Sequence, residues 1–219
     1  MKQARIEIPR DAERCVVLMR HSFSVQEGDD RTRTLTRDGV ARCYQVVSDY
    51  SKLLGRLQTQ YGGETEYVAS GFPRSLLSCF LVTYATQISR DPRLNVDVYL
   101  KKAPAPEGSP HPNLRAHWEA EGLSKGEMLA RAANDPKLFG NQPAKDMLRR
   151  MHAFITEQHG MARVVFAVGH EHNISLTAAS YGVPADLLDL QECGAFIFFV
   201  AKWWRVVSVQ KFTPLALSR

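Results

Sequence analysis

VVLMRHSFSV (residues 16–25) begins as an apolar run with no polar alternation and stops on an arginine, a histidine and a serine. With Cys15 in front, CVVLM (15–19) matches a strand covered on both faces, as in a parallel sheet, rather than one with a wet face. A buried strand that ends in Arg20-His21 delivers that pair to the place where open α/β sheets bind ligands, beyond the carboxyl ends of the strands. Two further segments repeat the design. TEYVAS (65–70) runs into Gly71-Phe72-Pro73-Arg74, and RVVFAV (163–168) runs into Gly169-His170-Glu171-His172-Asn173.

Between these strands the period changes. Val40, Cys43, Tyr44, Val47, Tyr50, Leu53, Leu54 and Leu57 recur every three or four residues, which predicts a helix over 36–58. Thr36 suits its N-cap and Asp38 the positive end of its dipole. Gly62-Gly63 then breaks the chain. SLLSCFLVTYAT (75–86) is helical by pattern and RLNVDVYL (93–100) reads as a short strand. KKAPAPEGSPHPN (101–113), with four prolines and a glycine, reads as a loop. Two helices follow at 126–133 and 144–158, with Gly160 as the stop, then a short one near 173–181. GAFIFFVAKWW (194–204) and RVVSVQKF (205–212) read as a strand pair. This order predicts one domain over 1–219: a three-layer α/β/α sandwich with a mostly parallel central sheet. Residues of about 100–150 form an insert, expected as a small helical cap.

The bulk composition narrows the function classes. The chain has 219 residues, 44% apolar and 23% charged, as ordinary globular domains do. No apolar run is long enough to cross a bilayer. MKQARIEIPRDAER lacks an apolar leader, which argues against export and for the cytoplasm. Cys15, Cys43, Cys79 and Cys193 lie far apart without CxxC spacing, so they read as reduced core thiols rather than a disulfide frame or metal site. A net charge of +5 admits anionic ligands, but no Lys/Arg block marks a nucleic-acid footprint. Strand 195–200 could support a homodimer only at a sheet edge, and it reads as core.

If the three polar strand ends converge, two arginines and two or three histidines meet in one pocket. Burying that many cations is costly without counter-charge. A phosphate would supply it, with its oxygens matched bidentately by the arginine forks.

In these residues, over roughly 14–200 and in the same order, the sequence resembles the histidine phosphatase superfamily, which includes phosphoglycerate mutases and acid phosphatases. LMRHSFS resembles its Arg-His-Gly signature, and LTRDG (35–39) the Leu-Thr-x-x-Gly that opens its first helix. ASGFPRSLLS (69–78) is similar to the segment with its second phosphate-binding arginine, and AVGHEHNIS (167–175) to the segment with its second histidine. The resemblance implies a phosphatase with no metal or cofactor, acting on a small phosphorylated substrate or a phosphoprotein. His21 would attack phosphorus through one ring nitrogen while a backbone acceptor holds the other. Arg20, Arg74 and His170 would clamp the non-bridging oxygens. Ser24 and Asn173 match further phosphate-contacting positions.

Two departures from the family pattern matter. Ser22 replaces the usual glycine, which would add about 1–2 kcal/mol of strain if the position required φ > 0. Ala116 occupies the position of the mutase glutamate, which argues against mutase activity. The proton donor is therefore Glu171, by analogy with the His-Asp of acid phosphatases, or else Glu119 or Glu121. Two other functions stay open: a protein phosphohistidine phosphatase, whose leaving imidazole needs no strong acid, and a phosphate-binding protein without turnover. His152 and His159 read as helix histidines, and His172 as a wall or surface residue. His111, His117, Lys101 and Lys102 carry little signal. Trp203 and Trp204 read as core or edge packing.

Overall fold

β1 (Ala12–Arg20) sits inside a six-stranded sheet. The structure, a computed structural model, describes residues 6–25, 32–84, 94–96, 121–134, 142–157 and 161–215. Its neighbours are β2 (Thr65–Ala69), β3 (Leu94–Val96), β4 (Val164–Gly169), β5 (Ala195–Ala201) and β6 (Val206–Phe212), in the spatial order β3-β2-β4-β1-β5-β6. The β3-β2, β2-β4 and β4-β1 pairs are parallel; β5 runs against both β1 and β6. The sheet is mostly parallel, as expected, and 195–201 lies within it rather than at its edge.

The uninterrupted apolar runs follow from layers on both faces. Side chains alternate along a strand, so Val16 and Leu18 enter one core while Cys15, Val17 and Met19 enter the other. The second core is closed by α1 (Arg37–Tyr61) and α2 (Pro73–Tyr84), through Cys43, Tyr50, Leu54, Leu57 and Cys79. The first is closed by α3 (Lys125–Asn134), α4 (Gln142–Thr156) and α5 (Glu171–Ser180), through Leu129, Met151, Phe154, Ile174 and Leu176. α3 and α4, the described part of the expected insert, thus contribute to a layer of the sandwich. The Pro-rich stretch 101–113 lies outside the described residues, as do Lys101, Lys102, His111, His117, Glu119 and His159.

Local signals place the elements. Thr36 caps α1, its Oγ1 accepting from Gly39 N at 3.0 Å, and Gly62 and Gly63 end that helix at φ 67° and 80°. α2 begins at Pro73, two residues before the predicted start, because proline favours the first helical position. The four cysteines are buried free thiols. The expectation for the tryptophans fails for Trp203. β5 stops at Ala201, and Lys202–Trp204 form a 3₁₀ turn in which Trp203 and Trp204 take φ of 62° and 61°. Trp203 is 86% exposed. The turn reverses the chain into β6, so the Trp203 ring projects from the sheet end, whereas the Trp204 ring packs at its edge, 4.6 Å from the Arg14 guanidinium of β1. None of the described helices is long and apolar enough to cross a membrane.

Candidate active site

The sheet register brings the three polar strand ends level. Arg20 lies opposite Gly169 and Ala69 opposite Val168. The ladder continues one step into the loops, with His21 N donating to Gly169 O at 3.0 Å and Ser70 N to Val168 O at 3.0 Å. β2, β4 and β1 are consecutive neighbours, so His21, Ser70 and His170 leave the sheet side by side.

His21 is held in one tautomer by its partners. Nδ1 lies 2.6 Å from Ser22 O, and Nε2 lies 3.2 Å from Arg74 Nε. A carbonyl only accepts and a guanidinium only donates. Nδ1 therefore carries the proton, and Nε2 turns its lone pair towards the Arg74 side. Arg74, in the first turn of α2, is 3% exposed, and its guanidinium stacks 4.8 Å above the Phe72 ring. The His170 ring stands edge-on to His21 at 5.2 Å and to Phe72 at 4.8 Å, and its Nε2 is 3.1 Å from Ser70 Oγ. His170 is also the N-cap residue of α5, so the turn from β4 into that helix fixes where the ring stands.

Ser22 is fully buried, and its φ is not in the left-handed region. The strain anticipated for a serine here is absent. Its Oγ donates to Gly39 O at 2.8 Å and its N donates to Ser78 Oγ at 3.0 Å. Ser78 Oγ in turn donates to Arg74 O at 2.7 Å, so one hydroxyl joins the loop that follows His21 to the helix that carries Arg74. Ser24 is half-buried farther along that loop, in an isolated bridge with Leu35. Asn173 is buried in the first turn of α5.

Counter-charge for the cations comes from carboxylates. Arg20 Nη1 lies 2.9 Å from Glu171 Oε2, and Nη2 lies 2.6 Å from Glu192 Oε1. Lys125, at the start of α3, pairs with the other oxygen of Glu171 and with Asp189 at 3.3 Å. Among the candidate acids, Glu171 is joined to a candidate phosphate ligand, Arg20, and Glu119 lies outside the described residues. Glu121 instead pairs with Arg131 on α3 at 3.1 Å and is exposed. The sequence reading missed Ser70, Ser78, Lys125 and Glu192. Ser70 and Ser78 lay inside a quoted motif without a role, and nothing local marks the other two.

No family model matches the sequence, and no curated protein matches it. Solved structures do match. A chain from Escherichia coli K-12 assigned as an α-ribazole-5′-phosphate phosphatase aligns over 93% of this chain and 98% of its own, with a TM-score of 0.57 at 12% identity. One from Agrobacterium tumefaciens assigned as the phosphohistidine phosphatase SixA aligns over 90% and 97%, with a TM-score of 0.52 at 13% identity. A mycobacterial glucosyl-3-phosphoglycerate phosphatase, solved with inorganic phosphate, aligns over 91% and 96%, with a TM-score of 0.50 at 14% identity. Over about nine-tenths of its length the chain has the fold of these three phosphatases, a mixed α/β sandwich.

Proposed function

We propose that the protein is a cofactor-independent phosphatase that hydrolyses a phosphomonoester through a phosphohistidine on His21. One observation carries the proposal: the Ser22 carbonyl holds Nδ1 of His21 while Nε2, the nucleophilic nitrogen, faces a buried arginine. In the first step Nε2 forms a bond to phosphorus and the bond from phosphorus to the leaving oxygen breaks. Arg20, Arg74 and His170 stabilise the charge on the non-bridging oxygens, with Ser24 and Asn173 as further phosphate ligands. Glu171 gives its proton to the leaving oxygen. In the second step water gives a proton back to that carboxylate and attacks phosphorus, the P–N bond breaks, and inorganic phosphate leaves. Glu171 is a counter-ion of Arg20 and Lys125.

The same placement of Glu171 supports a second reading. With both oxygens between two cations, the carboxylate suits a substrate whose leaving group needs no acid, as phosphohistidine on a protein does.

Turnover of p-nitrophenyl phosphate, an alkyl phosphate and a phosphohistidine peptide across pH 4–8 separates these readings, with wild type, His21→Ala and Glu171→Gln compared. The expected result is no turnover above background in His21→Ala. Glu171→Gln should lose about 10²-fold on the alkyl phosphate and much less on p-nitrophenyl phosphate, whose leaving group is already good. An inert alkyl phosphate beside a rapidly cleaved phosphohistidine, insensitive to Glu171→Gln, selects the second reading. A wild type that binds orthovanadate but turns over none of the three is a binding protein.

A further inference from the structure

Arg20 is held at both its main chain and its side chain by one short segment, residues 190–194. Its N donates to Gly194 O at 2.9 Å and its O accepts from Cys193 N at 3.1 Å. Its guanidinium donates through Nη1 to Leu190 O at 2.5 Å and through Nη2 to Glu192 Oε1 at 2.6 Å. These contacts, with Glu171, occupy the Nη1 and Nη2 end of a group that has five N–H donors in a rigid fork. The Nε–H and the Nη2–H beside it form the edge that matches two oxygens of a phosphate.

The segment that presents Glu192 is built to stay in place. Gly194 N bonds back to Gln191 O at 2.9 Å, closing a turn whose third residue, Cys193, sits at φ 61°. Glycine is the ordinary occupant of such a position, and a side chain there is strained. Here the side chain has a use. The Cys193 side chain is fully buried in the core that α1 closes, the core that also holds Cys43, and Tyr50 Oη donates to Cys193 O at 2.7 Å. Tyr50 of α1 therefore pins the strained turn, and a strained, over-determined backbone belongs where geometry has to be kept. Glu171 cannot give the same service alone, because Lys125 on α3 shares its carboxylate.

Building on the phosphatase reading above, we infer that Glu192 is a positioning residue for catalysis: it anchors the outer end of the Arg20 guanidinium so that the inner edge faces the transferring phosphoryl group. Glu192 touches no reacting atom. It lowers the number of arginine rotamers the phosphate must select from, and its carboxylate balances the Arg20 charge before substrate arrives.

The test is a double-mutant cycle between Glu192 and Arg20, read as kcat/KM for p-nitrophenyl phosphate and as affinity for orthovanadate by calorimetry. Glu192→Ala should lower kcat/KM by about 10- to 100-fold, the range typical when an outer partner of a site ligand is removed, with vanadate affinity falling in parallel. Glu192→Gln keeps an acceptor oxygen and should recover part of the loss. In an Arg20→Ala background, adding Glu192→Ala should change either readout by less than about twofold, because the residue it acts through is gone. A full Glu192→Ala loss persisting in that background would overturn the inference, since the glutamate would then act on the loop and not on the arginine. Wild-type activity in Glu192→Ala, or faster turnover, overturns it too. The His21→Ala arm keeps the two claims apart: retained turnover in that variant removes the phosphohistidine reading, whereas loss there with an indifferent Glu192 removes only this one. A wild type that neither turns over nor binds orthovanadate removes both.

Discussion

Ser22 and Gly39 show how two small residues divide the task of placing His21. Glycine has two physical uses, positive φ and close approach, and the chain needs only the second here, at Gly39. A Cβ on Gly39 would lie 2.1 Å from Phe23 O, so the first turn of α1 presses on the backbone two residues past His21. At Ser22 the backbone is ordinary, and the hydroxyl ties the loop to that same turn through Gly39 O. Gly39→Ala forces backbone against backbone and should cost about 3 kcal/mol, with turnover lowered at least tenfold because the loop carrying His21 moves. Ser22→Gly removes one buried hydrogen bond and adds chain entropy, so it should cost about 1–2 kcal/mol and leave turnover within about tenfold. Urea midpoints and turnover of both variants decide the matter. A Gly39→Ala protein with wild-type midpoint and rate would mean that the contact yields without consequence.

At the scale of elements, Arg14 in β1 serves α4, a helix with no basic residue in its last turn. Its guanidinium donates to Glu157 O and, at 2.7 Å, to Ile155 O, and it stacks 4.6 Å from the Trp204 ring. It meets carbonyls that the helix end leaves without partners and neutralises the negative end of its dipole. Burial lowers the Arg14 pKa, the Cys15 thiol opposing slightly. Arg14→Met keeps the apolar stem and loses the donors, which should cost about 2 kcal/mol and about 4–8 °C of Tm. Turnover should be unchanged, because Arg14 is at the opposite end of β1 from Arg20. Calorimetry and a rate measurement on the purified variant check both halves, and an unshifted Tm would reduce the contact to an ornament of packing. The same strand shows what a sequence makes legible. CVVLM announces a two-sided strand because burial on both faces leaves no polar alternation, and the spacing from Val40 to Leu57 announces α1. The left-handed turn at Trp203-Trp204 was hidden, since positive φ is normally flagged by glycine or asparagine and KWW continues an apolar run. In the site, Arg20, His21, Arg74 and His170 were legible because each ends a strand or opens a helix. Glu192 was not: it reaches Arg20 across 172 residues of sequence, and Ser78 reaches Ser22 across 56. Contacts of that span come from the register of the sheet, which no local pattern displays.

Across the whole molecule, the candidate site lies at the carboxyl ends of the strands and a helical layer packs along one face of the sheet, and on the proposed mechanism the two should respond to acid for different reasons. His152 lies half-buried on α4, with Nδ1 2.7 Å from Tyr181 Oη and Nε2 3.1 Å from Ser180 Oγ. The Tyr181 ring stands 4.6 Å from it and 5.8 Å from Phe198 of β5, so this small polar knot joins α4, the end of α5 and the sheet. Burial lowers the pKa of His152 below its ordinary 6.5 and pushes that of Tyr181 up to about 12, so both are neutral in the folded protein at pH 7. On acidification the unfolded chain takes up the His152 proton first, near its ordinary value, while the folded chain resists. The unfolded state then binds more protons, so stability rises with pH. The contribution is intact above about 6.5, declines as pH falls below that, and stops changing once pH has passed the lower, folded value. Tm measured from pH 7.5 to 5 should therefore fall in wild type and fall less steeply in His152→Gln, which keeps polar contacts but cannot titrate. Turnover follows a different set of groups, at the carboxyl ends of the strands, so the pH–rate profile of His152→Gln should superimpose on that of wild type at a temperature where both are folded. Equal Tm slopes in the two proteins would assign the acid sensitivity to other groups, whereas a displaced rate profile would couple the helical layer to the site.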